Sequence, residues 1–430
     1  MGLRTLRPDQ PTLFDATDSV ADKTSSTFAD NLRLPVHRWF RYSAGFSATW
    51  VGETLLAAGK SDRVRVLDPF AGSGTVPVEA ARRGYAAIGV EAHPFVARVA
   101  RVKACNRVAV AEVRSYFREL LERAGAVSPD PTGYPELIRR CFPDETLADL
   151  DRLRGACREQ ADHPVGDFGW LALAAILRAC SPVGTASWQY VLPNKTKART
   201  AAPFEAFRAK AAQIVSDLTS APVEARPARM LQEDARSLAG IADGWANLVI
   251  TSPPYPNNFD YADATRLEMS FFGDIAGWSD LQAGVRKGLV RSCTQHVAPL
   301  VSETGALVAA PELATIRQEL DDVRARLEIE RASHGGKKNY HTMVAAYFLD
   351  LARVWRALRR AVAPGGRVCF VVGDSAPYGV HVPVERWLGE LALAAGFRSW
   401  TFEKTRDRNI KWKNRKHRVP LQEGRLWVEA

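Results

Sequence analysis

The segment Thr251-Ser252-Pro253-Pro254-Tyr255 combines residue types that could do chemistry without a side-chain nucleophile. Two consecutive prolines fix φ and remove two backbone donors. The carbonyls around them are left to accept hydrogen bonds from elsewhere. A hydroxyl precedes the prolines and an aromatic ring follows, giving a rigid acceptor cradle with a stacking face. Such a cradle suits an amino group on an aromatic ring, a poor nucleophile because its lone pair is delocalised. Accepting both N–H bonds, through a side-chain oxygen and a carbonyl, pushes the nitrogen towards sp³ and frees the lone pair for attack. Taken alone, Pro-Pro-Tyr is also a proline-rich turn or a motif for a small binding domain. Here it follows an apolar run, 247–251 (NLVIT), and therefore stands at the carboxyl end of an expected strand.

A second loop, Asp68 to Thr75 (DPFAGSGT), follows another short apolar run, 64–67 (VRVL). Glycines 72 and 74 let the backbone turn tightly and approach a ligand closely. A Walker loop would need Gly-Lys-Ser/Thr, which is absent. A dinucleotide fingerprint would need Gly or Ala at position 77, which is Pro77. The remaining ligand reading is a nucleoside cofactor without phosphates, its ribose hydroxyls held by an acidic residue at the end of the next strand. Glu91 occupies that place, after 86–90 (AAIGV).

These residues carry a resemblance. DPFAGSGT, an acidic strand end and TSPPY together resemble the S-adenosyl-L-methionine-dependent DNA amino-methyltransferases. The resemblance implies an α/β fold, a Rossmann-like class I methyltransferase with a mostly parallel central sheet, and a base flipped out of the duplex. It implies that Asp68, Phe70, Ala71, Gly72, Ser73 and Gly74 hold the methionine end of the cofactor. Glu91 would take the ribose, and Asp234 with Ala235 the adenine. Phe46 and Ser47, in the aromatic stretch 37–51, would close over the methionine carboxylate. Ser252 would polarise the target amine, the Pro253 carbonyl would take its second hydrogen, Pro254 would stiffen the loop and Tyr255 would stack on the base. Asn257, Asp260 and Tyr261 would shape the target pocket or touch the DNA backbone. Ser before Pro-Pro-Tyr leans towards N4 of cytosine rather than N6 of adenine. The cofactor loop precedes the catalytic loop, the reverse of many relatives of this type. An RNA base methyltransferase and a nucleic-acid-binding protein with an inactive methyltransferase fold stay open as alternatives.

The elements that must position these loops follow from periodicity. Strand, glycine turn, helix (about 76–83) and strand form half of a doubly wound sheet. The next strands, 228–231 and 247–251, come more than a hundred residues later, beyond what a βαβ crossover needs. Residues 105–225 therefore read as a helical insertion, and 274–340, with a charged helix at 316–331, as a second insertion that contacts DNA or acts as a lid. Residues 31–104, 226–273 and 341–430 make the catalytic domain, and 1–30 a polar arm. A helix over 343–363, stopped by Pro364-Gly365-Gly366, leads to a strand at 367–372. A helix at 384–395 and short strands near 398–403 and 425–429 close the chain.

Composition narrows the setting. The chain has 430 residues, 46% hydrophobic and 25% charged, which are globular values. Lys plus Arg number 58 against 48 Asp plus Glu, a net charge of +10, which suits a polyanionic partner, DNA. The run 404–418 holds eight of those cations against one Asp: Lys404, Arg406, Arg408, Lys411, Lys413, Arg415, Lys416 and Arg418. Six cysteines stand without a Cys-x-x-Cys pair and are read as having no histidine at zinc spacing, so neither a metal nor a disulfide framework is expected. No apolar stretch is long enough to cross a bilayer, and the first thirty residues lack a signal core. A cytoplasmic protein, paired with cognate restriction or defence proteins, is the expectation.

Overall fold

The computed structural model describes residues 28–42, 45–60, 62–104, 108–185, 190–197, 199–220, 226–408 and 419–430. Its strands in chain order are β1 (Arg65–Asp68), β2 (Ala86–Val90), β3 (Val183–Thr185), β4 (Val191–Thr196), β5 (Arg229–Leu231), β6 (Ala246–Thr251), β7 (Val362–Gly373), β8 (Ser399–Arg408) and β9 (Leu421–Glu429). Seven form one sheet in the order β5-β2-β1-β6-β7-β9-β8. The first five run parallel, and β9 and β8 join antiparallel at one side. The mostly parallel, Rossmann-like sheet expected from the sequence is the one that forms.

Parallel strands covered on both faces alternate their side chains between two cores. Val66, Leu248, Ile250 and Cys369 point into one core, while Leu67, Val249, Val368 and Phe370 point into the other. On the second face the amphipathic helix Tyr340–Ala361 lies against the sheet, with Trp355 stacked on Phe370 at 4.3 Å between ring centroids. The first face is covered by the helices Thr75–Arg82 and Pro94–Ala104.

The connection from β2 to β5 contains the long helices Val110–Ala126, Asp144–Glu159, Gly166–Cys180 and Pro203–Thr219. Their apolar sides share the first sheet core, so this insertion is continuous with the fold. It also contains an antiparallel ribbon, β3 with β4, within the segment read as a helical insertion. A three-residue strand leaves no periodic signal to find. The connection from β6 to β7 carries the charged helix Arg317–Ser333, whose Leu320, Val323 and Leu327 join the second core.

Two further boundaries differ from the sequence expectation. Pro364-Gly365-Gly366 lie inside β7, since the preceding helix already ends at Ala361. β8 runs on to Arg408 through charged residues, because β9 supplies the register through the ion pairs Glu403–Arg425 and Arg406–Glu423. Its bulge between Lys404 and Arg406 is the kind of irregularity that re-aims side chains beside sites. Among the described residues no helix is long and apolar enough to cross a membrane.

Candidate active site

Strand order reverses direction between β1 and β6, and the crevice outside the carboxyl ends of such strands is where open α/β sheets take ligands. Both loops singled out in the sequence emerge there. They line one cavity of about 410 Å³.

Asp68 ends β1 and is fully buried. Its Oδ1 accepts from the Thr251 hydroxyl at 2.6 Å and from the Phe70 amide at 3.1 Å, tying the first loop to the strand that carries the second. Burial pushes its carboxyl up to about 7, against the pull of those two hydrogen bonds. Gly72 has φ +52°, and a Cβ there would stand 3.3 Å from the Tyr42 ring. Its amide donates to Glu91 Oε2 at 2.9 Å, while the His93 amide donates to Oε1 at 2.8 Å. Burial raises Glu91 to about 7, opposed by these amides. Glu91 is thus an aimed acceptor whose charge is set by small changes in its surroundings. Gly74, at φ +89°, starts the helix Thr75–Arg82.

The structure divides the expected cofactor residues into two groups. Phe46, Phe70, Gly72, Glu91, Asp234 and Ala235 line the cavity. Asp68, Ala71, Ser73, Gly74 and Ser47 are not among its lining residues. Ser47 caps the helix Ala48–Ala58 by accepting from the Trp50 amide at 3.3 Å. Phe46 is steadied by Asn31, whose side chain donates to its carbonyl at 2.8 Å.

All four residues Ser252, Pro253, Pro254 and Tyr255 line the same cavity. The Ser252 hydroxyl lies 3.1 Å from the Val371 carbonyl. A carbonyl cannot donate, so the hydroxyl hydrogen is committed there and the serine lone pairs remain as acceptors. No described residue donates to the Pro253 carbonyl. Three residues on, the Pro256 carbonyl is taken by the Ser375 hydroxyl at 2.6 Å, which anchors the loop to the segment after β7. Burial pushes the Tyr255 hydroxyl well above its ordinary range, so this ring is neutral and is no base.

Asn257, Phe259 and Tyr261 add to the wall, with Phe259 and Tyr261 edge to face at 4.5 Å. Asp260 does not line the cavity, which corrects its reading as a base or DNA contact. It is buried, and Arg286 donates to its Oδ2 at 3.1 and 2.5 Å. Burial would raise its carboxyl, but His296 and Arg286 hold it down at about 2. Cys293 and His296 also lie here, their ligand atoms and an Asp260 oxygen all within 4.8 Å of one another. The reading that no histidine partners a cysteine at zinc spacing therefore fails at Cys293 and His296, although Arg286 already matches the carboxylate charge.

The basic run divides as well. Arg406 and Arg408 line the cavity, Arg406 paired with Glu423 at 2.7 Å. The Arg408 guanidinium sits 5.3 Å from the centre of the Tyr255 ring and donates to the Asp374 carbonyl at 2.7 Å. Lys404 pairs with Asp407 at 2.6 Å and does not line the cavity. Lys411, Lys413, Arg415, Lys416 and Arg418 lie outside the described residues.

The sequence reading missed Tyr42, His93, Leu289, Val290 and Glu423 on the cavity wall. Tyr42 belongs to an aromatic stretch that was noticed, and His93 stands two residues after Glu91. His93 is buried, bonded to the Thr265 hydroxyl at 2.8 Å and pushed down to about 4 by burial, so it is uncharged. Leu289 and Val290 come from the second insertion and carry no motif.

No family model matches the chain. Three curated proteins do. It is 24% identical over 411 residues to the type II methyltransferase M.BsoBI of Geobacillus stearothermophilus, covering 86% of this chain and 80% of that one. It is 24% identical over 407 residues to the type II methyltransferases M.AvaI of Nostoc sp. and of Anabaena variabilis, covering 86% of this chain and 81% of each of those. The resemblance read from DPFAGSGT and TSPPY is thus accompanied by similarity to type II methyltransferases over most of the sequence.

Proposed function

We propose that the protein is a DNA methyltransferase. It moves the methyl group of S-adenosylmethionine to an exocyclic amino group of a flipped base, N4 of cytosine in preference to N6 of adenine. One observation carries the reading: a single cavity is lined by Phe70, Gly72, Glu91 and Asp234 and by Ser252 to Tyr255. The similarity to type II methyltransferases supports DNA as the substrate and a restriction–modification setting with a cognate restriction partner.

The residues present fit the cofactor. Gly72 leaves room for close approach, and Glu91 and Asp234 offer acceptors along the cavity. When bound, S-adenosylmethionine supplies a methyl carbon activated by a sulfonium. The chain supplies the rest. Ser252 and the Pro253 carbonyl accept the two amine hydrogens, and Tyr255 stacks on the base, with the Phe259 and Tyr261 rings beside it in the cavity wall. As the amine nitrogen bonds to the methyl carbon, the carbon–sulfur bond breaks with its electron pair left on the sulfur, and the nitrogen then loses one hydrogen as a proton to solvent. Ser252, shorter than Asn or Asp at this place, supports cytosine N4 as the target.

Expression in a host free of DNA methylation, followed by long-read sequencing, tests the proposal. N4-methylcytosine at one recurring site is expected. An unmodified genome, or methyl groups only on ring carbons, would contradict it.

Glu91 gives a test of the cofactor end. Glu91→Ala should weaken S-adenosylmethionine binding by about 1–3 kcal/mol, the scale of hydrogen bonds to a charged group. The pH dependence has a definite sign. Ribose hydroxyls donate to the ionised carboxylate, whose free value is raised to about 7. Affinity should therefore rise between roughly pH 6 and 8 and then level off. Titration calorimetry of wild type beside Glu91→Gln isolates this slope. An identical slope in both would remove Glu91 from the ribose site.

The basic run gives a test of the DNA reading. Neutralising Lys411, Lys413, Arg415 and Lys416 together should weaken binding to every DNA sequence. It should also flatten the slope of log affinity against log salt by roughly 3 to 4. Lost site preference with an unchanged slope would mean that the run reads bases.

A further inference from the structure

Asp350, on the helix Tyr340–Ala361, is fully buried and carries two arginines. Arg291 donates to it from its backbone amide at 3.0 Å, from Nε at 2.8 Å and from Nη2 at 2.5 Å. Arg236 donates to it from Nη1 at 3.3 Å. The same Arg236 grips Asp234. Its Nε lies 2.9 Å from both Asp234 oxygens, its Nη2 lies 2.6 Å from Oδ2, and its backbone amide donates to Oδ1 at 2.8 Å. Nη2 also reaches the Lys287 carbonyl at 3.1 Å.

The topology of these bonds is informative. Lys287 and Arg291 bracket Gly288, Leu289 and Val290, the stretch of the second insertion that walls the cavity. Asp234 and Ala235 line that cavity too. Two carboxylates and two guanidiniums thus form a charge-balanced latch joining the turn after β5, the second insertion and the helix beneath both. The Asp234 side chain is 36% exposed, so it keeps a face open while its back is clamped. A carboxylate can only accept, and a clamped one accepts in a fixed direction.

We propose that Arg236 is a positioning residue that sets the cofactor's base specificity. It fixes Asp234 to accept from an amino group on the cofactor's purine. With Asp350 and Arg291 it holds the Gly288–Val290 wall at the same end of the cavity. The inference rests on the reading of the cavity as an S-adenosylmethionine site.

The test is titration calorimetry of the full chain with S-adenosylhomocysteine and with its deaminated counterpart, which carries a ring carbonyl in place of the amino group. Wild type should prefer the amino form by roughly 10- to 100-fold, since the replacement turns a donor facing a carboxylate into an acceptor. In Arg236→Gln the preference should fall below about 3-fold as Asp234 loses its fixed direction. Arg236→Lys keeps the charge but not the fork and should give an intermediate preference. It also carries the test should Arg236→Gln fail to fold. A wild-type preference retained in either variant overturns the role of Arg236 while leaving the cofactor reading intact. Tight binding of both ligands by wild type with no preference places the purine amino group away from Asp234 and overturns the proposal. No binding of either ligand by wild type overturns the cofactor reading itself, and the proposal with it.

Discussion

Ser252→Ala should slow methyl transfer by roughly 10²–10³-fold, the cost of removing one preorganised hydrogen-bond partner from a developing charge. The hydroxyl hydrogen is committed to the Val371 carbonyl, so the oxygen meets the target amine as an acceptor. That acceptance strengthens as the nitrogen pyramidalises and its remaining hydrogens become more acidic. The loss should therefore fall on the rate of the chemical step and leave affinity for DNA and cofactor nearly unchanged. Single-turnover methylation with saturating cofactor reads this step directly. Transfer at the wild-type rate would remove Ser252 from the chemistry and leave the backbone carbonyls to activate the amine.

Tyr255→Ala should impair capture of the flipped base by about 1–3 kcal/mol, the range for base–aromatic stacking. Tyr255→Phe should be milder than Tyr255→Ala, because the ring face is kept and only the hydroxyl's hydrogen bond with Ser252 is lost. Arg408 lies over the same ring and would lose its partner in the alanine variant, so some of the loss will come from a cation left without its aromatic face. Fluorescence of a base analogue at the target position reports extrusion separately from transfer. Normal extrusion with slow transfer would assign Tyr255 to the chemistry instead.

Much of this site was legible because its parts are local. A β-branched run ending in Asp-Pro, two glycines and a helix start are chain neighbours, and they fix the turn whatever surrounds them. Glu91 was legible for the same reason, standing where β2 ends. TSPPY needed only the strand NLVIT before it, now seen as the end of β6. The remainder depends on partners distant in sequence. Asp260 looks like a pocket residue until Arg286 is seen to hold it. Leu289 and Val290 reach the cavity through ion pairs to Asp350, 59 positions from Arg291. The strand character of 404–408 comes from pairing with β9, since charged residues on both faces give no alternation. Ser47 shows how neighbours can differ: its segment borders the cavity through Phe46, while its own hydroxyl accepts from the Trp50 amide in a helix cap.

In the proposed function this one cavity joins a methyl donor to the amino group of a DNA base. Purified protein incubated with isotopically labelled S-adenosylmethionine and unmethylated genomic DNA, followed by enzymatic digestion and mass spectrometry of the nucleosides, tests it most directly. Label is expected in N4-methyl-2′-deoxycytidine from the DNA, absent with Ser252→Ala on the same timescale and absent from matched RNA. Label in 5-methylcytidine, label in RNA alone, or no label while the cofactor binds would contradict it.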